Sequence, residues 1–305
     1  MRAQQKILDE LQQDRLSTPT GMIHHYARPD GMKKITRFGT LWLSDYTRLV
    51  DTSEIAYGFN IGMEVLRQEY EESAKTSRLR RFVDYAALIA REGLGTYFRG
   101  YILSFSTRED NLDHWREFGH RERGYCLSFD GPTLDKAFVE FTGSDGLASG
   151  GSFEVLYDEA RLRHLMRQYV LNAFAEVIFL NESVERNACK EAFREVTVNL
   201  LYAFIYTALF FKYPGYETEG EYRYLLATHP RDNVTGLRKR LGKNNEEIGY
   251  FAMDWKTSYS DALREIWIGP AVAEDYGQEV VRKALARARL PGVTIRKSRF
   301  PPTRR

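Results

Sequence analysis

Glu217, Glu219, Glu221 and Arg223 stand at alternate positions in the segment from Glu217 to Tyr224. In an extended chain alternate side chains share a face. Three carboxylates and one guanidinium would then form a row. Carboxylates that close repel one another unless they are solvated, paired or neutralised by a ligand. Periodicity alone favours a solvated sheet face on which Arg223 neutralises one acid. The chemical reading is a carboxylate cluster beside a cleft. Such a cluster could orient a sugar hydroxyl, act as a general base or hold a metal ion.

Two further groups could contribute. His24-His25-Tyr26 lies in a candidate first strand, where neighbours point to opposite faces, so only one histidine can face a given site. A lone histidine is more often structural than catalytic. Ser104-Phe105-Ser106 closes another candidate strand with both hydroxyls on one face, and Asn111, Asp113, His114 and Trp115 follow. Serines at a strand end usually cap or turn the chain. No GxSxG surrounds them. GxGxxG, GxxxxGK[ST] and HExxH are absent, so dehydrogenase, P-loop and zincin readings lack support. Cys126 and Cys189 belong to no CxxC or Cys/His cluster. No metal site is expected from them, and their sparseness suits a reducing, cytoplasmic setting.

The elements that must position these groups alternate short β-like runs with long helical ones. Met22–Tyr26, Thr40–Leu43, Tyr101–Ser106, Tyr125–Phe129, Phe153–Tyr157, Ile266–Ile268 and Val293–Ile295 read as strands, and Glu217–Leu226 as extended chain. Ile61–Glu92 reads as helical. Asp158–Phe211 lacks proline and reads as two or three helices with a break near Asn181 or Asn187. Val272–Leu290 is a helix stopped by Pro291-Gly292. The glycine-rich Gly143–Ser152 reads as a loop. Leu200–Phe211 is apolar all round, which suits a buried helix rather than a membrane span. Trp115, between two strand segments, is expected to be buried. Met1–Leu16 reads as a polar amphipathic helix without the apolar run of a signal peptide. The expected architecture is one α+β domain over residues 1–305, with a helical insertion at about 158–211.

Of the 305 residues 43% are hydrophobic, enough for a sizeable core. The net charge of +2 creates no global field that demands a polyanion. Basic clusters occur at Arg238, Lys239, Arg240 and Lys243 and at Arg296, Lys297, Arg299, Arg304 and Arg305. A basic surface is their ordinary reading, and nucleic-acid binding the alternative.

The order of several short motifs resembles the bacterial domain of unknown function 2971. They are His25-Tyr26, Leu41-Trp42-Leu43-Ser44, Ser104-Phe105-Ser106, Trp115, Gly124–Phe129, Lys212, Glu219-Gly-Glu221-Tyr-Arg223, Gly269-Pro270 and Ser298. Asp51-Thr52-Ser53-Glu54 departs from the Asn-Asp-Pro of that pattern. The sequence His-Tyr, Ser-x-Ser, Glu-x-Glu also resembles the three-part signature of ADP-ribosyltransferase-like folds. That resemblance implies a central, mostly antiparallel sheet and NAD as substrate. It implies that His25 orients NAD, Tyr26 or Tyr97 stacks on a ring, and Ser104 and Ser106 line the pocket. Glu221 would be the catalytic carboxylate, with Arg223 beside it, and Glu219 would activate a macromolecular acceptor, protein or nucleic acid. Two other readings stay open. One is a metal-dependent nuclease or phosphodiesterase using Glu219, Glu221 and Asp51 or Glu54. The other is a non-enzymatic sensor or interaction module of a defence or toxin system, with tyrosines and basic patches as its surface.

Overall fold

The computed structural model describes residues 19–48, 53–91, 99–143, 150–179, 186–228, 235–242 and 245–303. Its strands are β1 (Met22–Ala27), β2 (Thr40–Asp45), β3 (Arg99–Ser106), β4 (Tyr125–Asp130), β5 (Gly150–Glu154), β6 (Glu221–Thr228), β7 (Arg238–Leu241), β8 (Glu247–Asp254), β9 (Leu263–Ile268) and β10 (Thr294–Lys297). The helices are α1 (Pro29–Phe38), α2 (Ser53–Glu72), α3 (Ser77–Arg91), α4 (Leu112–Glu117), α5 (Gly131–Gly143), α6 (Glu159–Phe179), α7 (Arg186–Ala208), α8 (Lys256–Tyr259) and α9 (Glu274–Ala288). The fold is mixed α+β, and its ten-stranded sheet is antiparallel throughout except between β9 and β10.

The sheet forks at β3. One edge of β3 pairs along its whole length with β6, which also pairs with β5. The other edge is shared. β1 meets it only through His24 opposite Ser106, and β2 only through Ser44 and Asp45 opposite Ile102 and Tyr101. From there β1 leads through β4 and β9 to β10, and β2 leads through β8 to β7. Between the two wings, Leu103, Ser104 and Phe105 have no strand partner on that edge among the described residues.

Period-two alternation covers both faces. Leu41, Leu43, Leu103, Phe105, Leu127, Phe129, Tyr222, Tyr224, Phe251 and Ile266 turn to one side and form a core with residues of α1, α5 and α9. On the other side Ile102, Leu225, Ala227 and Phe153 pack under α2, α3, α6 and α7. Tyr26, Cys126, Trp115 and Trp267 form a smaller cluster on that second side, beneath α4. Trp115 is fully buried, as its sequence context implied. α2 and α7 approach closely because Gly58 has no side chain: a Cβ there would stand 2.7 Å from that of Ala208.

Several sequence expectations need correction. Ile61–Glu92 is two helices, not one; the second begins where the Thr76 hydroxyl accepts the Leu79 N–H. The break expected near Asn181 or Asn187 is present, since α6 ends at Phe179 and α7 begins at Arg186; Asn181 itself lies outside the described residues. The buried helix ends at Ala208, and Leu209–Phe211 continue buried beyond it. Gly150–Ser152 belong to β5, paired with β6, rather than to a loop. Met1–Leu16, Tyr97 and Asp51 lie outside the described residues. No described helix is long and apolar enough to cross a membrane.

Candidate functional site

A cleft of about 330 Å³ opens in the fork, on the side of the sheet that carries the helical layer. Its floor comes from β1, the middle of β3 and the start of β6. Trp42 and Ser44 of β2 form one wall. His114 and Glu117 of α4, with Phe118 just beyond its end, form another, and Lys212, Tyr216 and Glu219 complete the rim. The strand register dictates which side chains meet. Ser106 lies between His24 on one side and Glu221 on the other, and Ser104 lies opposite Arg223. Cross-strand partners share a face, so His24, Ser104, Ser106, Glu221 and Arg223 point to the cleft side together.

Only part of the expected carboxylate row exists. Pro214–Glu219 forms a 3-10 turn closed by Gly220 in the left-handed region, with φ of 49°. The strand starts at Glu221, so Glu217 and Glu219 leave the row. The turn is tied down by the Ser106 hydroxyl, which donates to the Glu219 carbonyl at 2.7 Å, and by the Thr107 N–H, which donates to the Gly220 carbonyl at 2.7 Å. The Pro214-Gly215 pair and Gly220 are turn signals that interrupt any alternating reading.

Glu221 is 8% exposed and paired twice. Arg223 grips it with Nε 2.7 Å from Oε1 and Nη2 2.8 Å from Oε2. Lys212 Nζ stands 3.5 Å from Oε2 and 2.6 Å from Glu219 Oε2, bridging the two acids. Burial opposes ionisation of Glu221. The charge and hydrogen bonds of Arg223, the charge of Lys212 and the Ser104 hydroxyl outweigh it and hold its pKa at about 2. The cleft therefore presents an ionised, rigidly held carboxylate, and beside it a second carboxylate nearer the solvent.

The histidine that shares the cleft face with Glu221 is His24, not His25. His24 Nδ1 lies 2.8 Å from the Ser128 hydroxyl, and burial lowers its pKa to about 4 although Glu109 and Glu265 pull the other way. His25 borders the fork. Its Nδ1 donates to the Ser104 carbonyl at 3.0 Å and its ring meets Phe105 on the opposite, core side. Burial lowers its pKa as well, against that hydrogen bond. Tyr26 is anchored at its hydroxyl, which accepts the Asn111 N–H at 2.8 Å, and its ring meets Trp115 edge-on. It also stacks on His114, which presents a second buried imidazole to the cleft. Burial holds His114 near 4, with Glu221 raising and Lys212 lowering it, and its Nδ1 has no hydrogen-bond partner among the described residues.

Of the residues singled out from sequence, His25, Tyr26, Ser104, Ser106, Glu219, Glu221 and Arg223 all border this cleft. The first two turn their polar atoms elsewhere, and Tyr97 is outside the described residues. Strand pairing settles which of His24 and His25 lies on the cleft face and brings Trp42 to it, while His114, Phe118 and Tyr216 reach the cleft from a helix end and a turn that no local pattern links to it. Among the described residues no group of three or more His, Cys, Asp or Glu is placed to hold a metal ion. The acids Glu219 and Glu221 already have Lys212 and Arg223 as counter-ions.

A family model described as a protein of unknown function (DUF2971) matches residues 114–224. That stretch runs from His114 through α6 and α7 to β6. It contains Lys212, Glu219, Glu221 and Arg223 but neither β1 nor β2. No curated protein and no solved structure matches the chain. These comparisons lend no support to the ADP-ribosyltransferase resemblance.

Proposed function

We propose that the cleft takes the nicotinamide-ribose end of NAD and that the chain transfers ADP-ribose to a macromolecular acceptor. The observation that carries this reading is convergence. Segments far apart in sequence (β1, β3 and β6) bring an imidazole, two serines and a fixed carboxylate to one fork. At about 330 Å³ the cavity lies at the small end of ligand pockets. It suits one nucleoside-sized half of the dinucleotide, not the whole, and the adenylate half would lie across the open mouth. The aromatic wall required for a flat ring comes from Trp42, Phe118 and Tyr216.

In this reading Glu221 stabilises the positive charge that develops at C1′ as the bond to the nicotinamide nitrogen breaks. The electron pair leaves with nicotinamide. The acceptor forms the new bond to C1′, and its proton passes to Glu219, the carboxylate nearer the solvent. Arg223 and Lys212 hold both acids in place, so little reorganisation accompanies the step. His24 takes the orienting role that the resemblance implied for His25.

One observation favours a second reading. Both carboxylates are ion-paired, as they would be in a module that only binds. Incubation with labelled NAD separates the two: transfer predicts released nicotinamide and labelled macromolecule, and binding alone predicts neither. Glu221→Gln should lower nicotinamide release at least about a hundredfold. That substitution also leaves the buried Arg223 uncompensated, which typically costs about 3–5 kcal/mol. Circular dichroism of the variant is therefore part of the test. Unchanged nicotinamide release in a folded Glu221→Gln protein would end the transferase reading.

A further inference from the structure

The basic cluster around Arg238–Arg240 takes no part in the cleft, but register places it beside it. Arg238 stands opposite Tyr250, Tyr250 opposite Ser44, and Trp42 opposite Ala252. Arg238, Arg240, Tyr250 and Trp42 therefore share the face that carries Ser104 and Glu221. Lys239 points to the other face, where it pairs with Glu247 at 2.7 Å. The rings of Trp42 and Tyr250 lie 4.3 Å apart, and the Arg240 guanidinium sits 5.8 Å from the Trp42 centroid. Trp42 is 40% exposed and also walls the cleft, so the strip runs into the site without a break.

The charges on this strip are unbalanced. Arg238 is exposed, and the Arg240 Nε is buried with no hydrogen-bond partner among the described residues. Of the acids on this face, Asp254 uses its carboxylate to cap α8, accepting the Lys256 and Thr257 N–H groups at 2.8 and 3.0 Å, and Glu246 lies just before β8 with its carboxylate against Gly242. Two arginines without an ion pair among the described residues call for an anion. A close aromatic pair between them and the cleft, its rings tilted by 33° and its Trp42 ring exposed, calls for a flat ring. Single-stranded nucleic acid offers both, at a spacing of one base per phosphate. An acidic peptide offers only the charge, and a duplex keeps its bases stacked inside.

We propose that β7, β8 and β2 form a track for single-stranded nucleic acid. Phosphates sit at Arg238 and Arg240, a base stacks on Trp42, and the next nucleotide is presented at the cleft mouth. This strand would be the acceptor of ADP-ribose, a step that rests on the NAD reading above. Binding to the track does not rest on it.

Fluorescence anisotropy with a labelled single-stranded oligonucleotide, without NAD, tests the track by itself. The competitors are the same sequence as a duplex and a polyglutamate of equal charge. The single strand should bind more tightly than either. Arg238→Ala/Arg240→Ala should weaken binding at least about tenfold and reduce the slope of log K against log salt by roughly 1.4, as loss of two phosphate contacts requires. Trp42→Ala should weaken binding about five- to hundredfold, the usual effect of losing a stacking platform, and leave the slope unchanged. Trp42→Phe should restore most of it. Failure of the single strand to bind, equal binding of duplex or polyglutamate, or indifference to these substitutions would overturn the track. If the strand binds as described but labelled NAD yields no nicotinamide, the track stands and the NAD reading falls.

Discussion

At the scale of single residues, the cleft imidazoles are buried without an acidic hydrogen-bond partner among the described residues, and this has a consequence for stability. His24 and His114 have ordinary values of 6.5 in the unfolded chain and about 4 in the folded one. Between those values the unfolded chain binds more protons, so stability is complete above pH 6.5 and falls as the pH drops toward 4. Each histidine should contribute roughly 3 kcal/mol to this loss. Glu221 acts in a separate window. Its folded value of about 2 lies below its ordinary 4.5, so its contribution is present above 4.5 and is lost only on further acidification. The measurement is the melting temperature from pH 7.5 to 4.5 for the wild type and for His114→Gln. The variant should show the shallower decline; an identical decline would mean that His114 is not buried neutral. The same residues show what the sequence leaves open. That only one of His24 and His25 can face a site follows from strand geometry. Which one depends on the pairing of His24 with Ser106, a contact that no local pattern encodes.

At the scale of elements, the turn before β6 decides the shape of the site. Gly220 sits at φ of 49°, and a Cβ there would stand 2.8 Å from the Thr107 hydroxyl. Gly220→Ala should therefore cost more than the roughly 1–2 kcal/mol of a left-handed L-residue. It should also loosen the turn that holds Glu219 on Lys212, so that nicotinamide release suffers with stability. Chemical denaturation and the release assay check both; an unchanged midpoint would show that the turn adapts freely. Most strands were legible, because β1, β3, β4 and β9 are aromatic or β-branched runs bounded by turn residues. β7 was not, because Arg238-Lys-Arg-Leu is basic and mostly exposed on a sheet edge, and reads as a surface patch. The start of β6 was misplaced by four residues' worth of alternation, since Glu217, Glu219 and Glu221 keep period two across a turn that breaks it.

At the scale of the whole molecule, the fork in the sheet joins three bodies. The β1 wing supplies His24, the β2 wing supplies Trp42, and the segment leaving the helical layer supplies Lys212 and Tyr216. An α+β fold could be expected from the alternation of elements, whereas a mostly antiparallel sheet was implied only by the ADP-ribosyltransferase resemblance. The fork could not, because it depends on two strands sharing one edge of β3. A ligand in the cleft touches all three bodies and must stabilise their assembly. A ligand that binds only the folded state adds about 2.7 kcal/mol at a hundred times its Kd. For a chain of this size that raises Tm by roughly 4 °C. Differential scanning fluorimetry should show such a rise with NAD. Mg²⁺ alone should give none, because Lys212 and Arg223 already neutralise Glu219 and Glu221 and a metal would have to displace them. Trp42→Ala should reduce the NAD-dependent rise without abolishing it, since Phe118 and Tyr216 remain. A rise with Mg²⁺ and none with NAD would reverse the assignment and make the two carboxylates metal ligands, with the lysine and arginine as their counter-ions only in the metal-free protein.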